Sequence, residues 1–124
     1  MHELSICRGI INQAEALAVE HNARRVTGIK VLIGPLSGVE PALLAQAFPL
    51  ASAASVADGA ELQIEYSAVV VRCTACDTES EVAPNRLLCK KCGAWQTQVI
   101  RGDEMLLASL ELEKNETEPD RLAV

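Results

Sequence analysis

Two stretches of this 124-residue chain carry chemistry in their spacing. Cys73-Thr74-Ala75-Cys76 and Cys89-Lys90-Lys91-Cys92-Gly93 are two C-x-x-C pairs. Two intervening residues let both sulfurs of a pair face one ion from a tight turn. The glycine after the second pair lets the backbone fold back, so that its amides approach the thiolates. Two such pairs complete a tetrahedral shell of four thiolates with no open position, which is a structural site with Zn(II) as the expected occupant. The gap between the pairs is a little shorter than the common spacing, but it suffices for a short hairpin. Iron fits the same donors, and spacing does not separate the two. A thiol oxidoreductase is a further reading, but a thioredoxin-type site needs one C-x-x-C at a helix start rather than two facing pairs.

The second stretch is Met1-His2-Glu3. Removal of an initiator methionine requires a small second residue, so Met1 is expected to stay, with a free amine. That amine, the His2 amide nitrogen and the imidazole Nδ1 could chelate one ion through fused five- and six-membered rings. Planar nitrogen donors suit Ni(II) or Cu(II). Glu3 would add a fourth contact through its backbone nitrogen or its carboxylate. On residue types alone, a second-position histidine is more often a solvated terminus. The remaining candidates have blander readings. Cys7 falls on an apolar helical stripe and reads as a small buried hydrophobe. His21 falls at a helix end, where it caps carbonyls or is solvated.

These residues need elements to position them. Leu4, Cys7, Ile11, Ala14 and Ala18 recur at helical spacing from Glu3 to about His21, and Asn22 is a suitable end. Val26 to Ile33 reads as a strand in which Gly28 hosts a bulge, since Val26 has the opposite parity to Ile29, Val31 and Ile33. After the turn-rich Ile33-Gly34-Pro35-Leu36-Ser37-Gly38, Pro41 suits the first position of a second helix. Pro49 should kink or end that helix, which the Ala-rich Leu50–Ala57 could resume. Leu62, Ile64 and Tyr66 alternate as a second strand, and Ala68 to Val71 runs on into the first cysteine pair. Trp95 to Ile100 looks extended. Leu106, Ala108, Leu110 and Leu112 alternate as another strand.

This order predicts an α/β (α+β) fold: a small mixed sheet with two helices on one face, plus an inserted zinc-ribbon-like four-cysteine domain. The boundaries are 1–70 and 101–113 for the α/β domain and 71–100 for the cysteine domain. The polar, acidic residues 114–124 are expected to form a disordered tail.

Composition narrows the function. The chain is 49% hydrophobic but only 2% aromatic, so its core is aliphatic and thin, and a metal staple would help it. A net charge of −6 argues against a general nucleic-acid binder. Asp77, Glu79 and Glu81 balance Arg86, Lys90 and Lys91 in the cysteine module, which reads as scaffold or docking surface. No stretch approaches a membrane span, and the first residues do not form a secretory signal, so a cytoplasmic location is expected. There thiols stay reduced, and five cysteines suggest metal before disulfides. No phosphate-binding loop is present for GTP hydrolysis, and two histidines leave little material for acid–base catalysis, so the chain is not expected to be an enzyme.

Several segments together resemble the HypA/HybF hydrogenase nickel-incorporation family. They are Met1-His2-Glu3-Leu4-Ser5-Ile6, Ile33-Gly34-Pro35-Leu36-Ser37-Gly38-Val39-Glu40-Pro41, Gly59-Ala60-Glu61-Leu62, Gly102-Asp103-Glu104-Met105 and the two cysteine pairs. The resemblance covers nearly the whole chain up to about Glu113; Pro49 departs from it. It implies a metallochaperone that binds Ni(II), its transient cargo, through Met1, His2 and Glu3. Cys73, Cys76, Cys89 and Cys92 would hold structural Zn(II). It also implies that a HypB-type GTPase and the hydrogenase large subunit are partners. A monomer or a homodimer fits equally. The competing reading is a zinc-ribbon adaptor module without nickel binding.

Overall fold

A computed structural model of the chain describes residues 2–114 and 119–123. The element order is α1 (His2–Glu20), β1 (Ala23–Ile33), α2 (Pro41–Ser52), β2 (Glu61–Tyr66), β3 (Val69–Cys73), β4 (Glu79–Val82), β5 (Thr97–Arg101), β6 (Met105–Lys114) and β7 (Pro119–Ala123). The fold is α+β, two helices with small sheets and a four-cysteine cluster, as the sequence predicts. The chain forms two compact units. The larger takes residues up to Val31, Glu40–Ile64 and residues from Leu106 on; the smaller takes Leu32–Val39 and Glu65–Met105. Among the described residues, no helix is long and apolar enough to cross a membrane.

In the larger unit, α1 buries Cys7, Ile10, Ile11, Ala14 and Ala18, a single stripe at helical spacing. It packs on α2, which contributes Leu44 and Phe48 to the core. Burying one such side chain contributes roughly 1.5–3 kcal/mol. Asn22 ends the helix in the left-handed region at φ 55, a conformation that asparagine tolerates better than most residues. The four-stranded sheet has the order β2-β1-β6-β7. Along β1, Val26 is buried on one parity and Ile29, Val31 and Ile33 on the other, so the face changes at Gly28 as expected. The Val26 N–H donates to the Val56 carbonyl at 2.8 Å.

Three expectations need correction. First, α2 runs through Pro49 but takes in only the first three residues of the Ala-rich Leu50–Ala57 stretch. The proline lacks the N–H that would bond the Ala45 carbonyl, and the helix ends one turn later at Ser52. Turns follow, in which Ala54 takes φ 60 and its N–H donates to Asp58 Oδ2 at 3.1 Å. Second, β6 does not alternate throughout. Leu107 is buried in place of the exposed Leu106, and only from Leu110 does the predicted parity hold. Third, within the stretch 114–124 expected as a disordered tail, Pro119–Ala123 forms β7, antiparallel to β6 with Leu122 opposite Leu110 and Asp120 opposite Leu112, while 115–118 and 124 lie outside the described residues. Pro119 opens that strand, where a missing N–H is tolerated, and β7 covers an edge that β6 would otherwise expose.

The smaller unit is a three-stranded antiparallel sheet, β4-β3-β5, with the cysteine turns at its ends. It is larger than the expected 71–100, because β3 starts at Val69 and the residue 32–39 loop belongs to it. That loop is clasped to residues 102–104. Gly34 N–H donates to the Glu104 carbonyl at 2.8 Å and Leu36 N–H to the Gly102 carbonyl at 2.7 Å. The Ser67 hydroxyl donates to Glu104 Oε1 beside them. The two backbones cross so closely that a Cβ on Gly34 would lie 2.2 Å from the Gly102 carbonyl. Gly102 itself sits at φ 109 with a Cβ position only 2.8 Å from the Val69 Cα.

Two glycine substitutions should therefore have opposite signs. Gly34→Ala should destabilise the chain by roughly 3 kcal/mol, because backbone and not a flexible side chain must give way. Gly9→Ala, in α1 with open space around its Cβ position, should stabilise by roughly 0.5–1 kcal/mol. Urea midpoints check both; equal midpoints for the two variants would contradict the crossing.

Candidate metal centre

The four cysteines of the paired motifs come together in the smaller unit. The sulfurs of Cys73, Cys76, Cys89 and Cys92 all lie within 4.8 Å of one another. Cys73 Sγ is 3.6 Å from Cys92 Sγ, and Cys76 Sγ is 3.6 Å from Cys89 Sγ. A tetrahedral ion with metal–sulfur bonds of about 2.3 Å holds its sulfurs about 3.8 Å apart. The spacing and the soft, all-sulfur donor set thus suit a structural zinc.

Each pair is built by the same backbone turn. Cys76 N–H points at Cys73 Sγ at 3.4 Å, and Cys92 N–H points at Cys89 Sγ at the same distance. The residue after each pair donates to the carbonyl of the pair's first cysteine at 2.9 Å: Asp77 to Cys73 and Gly93 to Cys89. Both sit in the left-handed region, Asp77 at φ 61 and Gly93 at φ 74. Gly93 was legible from sequence. Asp77, playing the same part in the first turn, was not; aspartate is among the few side chains that take this conformation.

Two further residues escape a sequence reading. The Thr78 hydroxyl lies 3.3 Å from Cys76 Sγ, and Ser80 Oγ accepts the Lys90 N–H at 3.3 Å, tying β4 to the second turn. A hydroxyl two residues beyond a cysteine was the only available signal for Thr78.

These contacts set the thiol chemistry. The Cys92 amide, opposed by burial and helped by the Lys91 amide, pulls the Cys89 thiol down to about 6. The Thr78 hydroxyl, and then its amide, lowers the Cys76 thiol. At Cys92 the Ala94 amide pulls downward, but the sulfur of Cys73 and burial outweigh it and push the thiol up to about 12. The turns favour thiolates at some positions, while crowding opposes complete ionisation of the set. A bound cation resolves that conflict.

The N-terminal candidates are described only in part. Met1 lies outside the described residues, and so does the His2 side chain. The His2 backbone is the first residue of α1. Glu3 is buried in the first turn and lines a cleft of about 250 Å³ with Leu4, Leu43 and Gln46. Cys7 is fully buried, and its thiol donates to the Leu44 carbonyl at 3.6 Å, the packing role expected of it. Burial, and then the Glu3 charge, pushes the Cys7 thiol up, which disfavours a reactive thiolate. His21 is half-buried at the end of α1, its N–H bonded to the Leu17 carbonyl.

Stripping the metal with a mercurial reagent and a chelator should remove amide-exchange protection from Val69–Arg101 and leave α1 and β1 protected. Full protection of β3–β5 in the metal-free protein would show that the unit stands without a cation.

A family model described as "Hydrogenase/urease nickel incorporation, metallochaperone, hypA" matches residues 1–112. Among curated relatives, the hydrogenase maturation factor HypA of Nitrosospira multiformis is 46% identical over 112 residues, covering 90% of this chain and 97% of that protein. The HypA of Aquifex aeolicus is 45% identical, covering 91% and 98%. A solution structure of the Ni metallochaperone HypA from Helicobacter pylori matches with TM-score 0.72 at 28% identity, over 91% of this chain and 98% of the other. With the four-sulfur cluster in place and the family match spanning both units, the chain belongs to the HypA family of hydrogenase/urease nickel-incorporation metallochaperones.

Proposed function

We propose that this protein binds Ni(II) at its N-terminus and passes it, with a HypB-type GTPase, to the [NiFe]-hydrogenase large subunit during maturation. The Met1 amine, the His2 amide and imidazole, and Glu3 are the nickel donors; Cys73, Cys76, Cys89 and Cys92 hold structural zinc. The protein is a carrier and not an enzyme, and it works in the cytoplasm, where its thiols stay reduced for metal.

The observation that carries the nickel assignment is the position of His2 as the first residue of α1. An α-helix makes no internal use of its first amide nitrogens. The His2 amide can therefore be given to a metal without breaking the helix. A donor set at the chain end can also open to release its ion while the core stays packed. The zinc assignment is supported by the 3.6 Å sulfur spacings and the amides aimed at Cys73 and Cys89.

His2→Ala should abolish tight Ni(II) binding and leave zinc bound. Unchanged nickel affinity by calorimetry would refute the site. An extra residue placed before Met1 should do similar damage, because it converts the amine to an amide. The pH dependence has a definite sign. Unperturbed amine and imidazole groups titrate near 7.7–8.0 and 6.5, and nickel must displace their protons, so affinity should fall as pH drops through that range. A flat nickel affinity between neutral pH and about pH 5.5 would exclude these donors.

A further inference from the structure

The smaller unit carries a cleft beside the metal centre, with which it shares Cys89 and the Gly93 turn. Its volume is about 510 Å³, lined by Val82, Ala83 and Leu88 with Arg86, Cys89, Lys90 and Gly93. That lies within the range of roughly 300–1,000 Å³ common to ligand clefts. Its walls are fixed by bonds within the unit. Arg86 N–H donates to the Ala83 carbonyl at 3.0 Å, the Thr97 hydroxyl donates to the Leu87 carbonyl at 2.8 Å, and Ser80 holds the Lys90 amide.

Its charge runs against that of the molecule. The chain carries a net −6, yet the two Lys/Arg/Asp/Glu side chains lining this cleft, Arg86 and Lys90, are both cationic, and the one other titratable lining group is the cluster sulfur of Cys89. Arg86 and Lys90 are exposed, as is the neighbouring Lys91. The unit's ion pairs join Arg72 to Glu79 and Asp77; among the described residues, none engages Arg86 or Lys90. Between these cations lie the half-buried Val82 and Leu88. An inorganic anion would have no use for that apolar wall, and two or three cations are few for a nucleic-acid track.

We infer that the cleft bounded by Val82, Leu88, Arg86 and Lys90 docks an extended acidic segment of a protein partner, with one branched apolar side chain between Val82 and Leu88 and flanking carboxylates on Arg86 and Lys90. Apolar burial supplies affinity and the rim charges supply selection and encounter rate. The inference is independent of the nickel assignment, since it uses none of residues 1–3.

The test uses the full-length, metal-loaded protein and a fluorescein-labelled ten-residue peptide with one leucine set among glutamates, read by anisotropy. Saturable binding is expected. It should weaken about tenfold in the Arg86→Glu/Lys90→Glu double variant and on moving from low to physiological salt. Leu88→Ala should weaken it at unchanged salt dependence. Both charge changes fall at exposed positions, so zinc content and nickel titration should match the parent; if zinc is lost, Arg86→Gln/Lys90→Gln replaces the double variant and must show the same loss of binding. The inference is overturned if the peptide does not saturate, if a lysine-for-glutamate peptide binds equally, or if inorganic phosphate or single-stranded RNA displaces the peptide as well as its unlabelled form does. Self-association that the double variant abolishes would also overturn it, in favour of a second copy as the occupant.

Discussion

Four sulfurs confined within 4.8 Å are the constraint on which the smaller unit depends. Thiolates at that spacing repel, and thiols at that spacing waste the amides aimed at them. Only a cation makes both the turns and the charges favourable at once. The strands around the cluster are short and carry few large buried side chains: Val69, Val71 and Cys73 line β3, and Ser80 is the buried residue of β4. Such a unit cannot offset its own chain entropy by burial alone. A cation held by the four sulfurs would supply the missing cohesion, next to the cleft that Cys89 also lines.

The larger unit is governed by different physics. Its helices and sheet bury an aliphatic core of Ile, Leu, Val and Ala, with Phe48 as the one buried aromatic among the described residues. That core packs α1 against α2 and so positions the first turn of α1, which begins at His2. The two units thus rest on different cohesion: one on an aliphatic core, the other on the convergence of four sulfurs.

Much of this was legible in the sequence. The stripe from Cys7 to Ala18, the face change at Gly28 and the closed thiolate shell follow from spacing and residue type. What could not be read depends on tertiary context. Leu106 and Leu107 are both apolar, so alternation alone could not tell which faced the core. Proline at position 49 is compatible with a kink or an end, and the turns that follow are set by Asp58 reaching back to Ala54. An acidic composition suggested a tail after Lys114, whereas the open edge of β6 recruits Pro119–Ala123. Glu3 read as a candidate metal ligand from its position in the chain, and its burial beside Leu4, Leu43 and Gln46 was not legible there.

The clasp between Gly34 and Gly102 also bears on how the chain acquires its shape. The contact joins segments on either side of α2 and the whole cysteine ribbon, so it is of high contact order. A ribosome makes Gly34 long before Gly102. The loop before α2 must therefore wait, its backbone groups held by water, until nearly all of the chain has emerged. Helices α1 and α2 can meet early, and the cysteine turns can capture their ion as soon as Cys92 is made, but the Gly34 N–H finds the Glu104 carbonyl only afterwards. Because loop closure carries an entropic cost that such late contacts must repay, the Gly34–Gly102 crossing belongs with the pairings of β6 and β7 among the last contacts that the emerging chain can make.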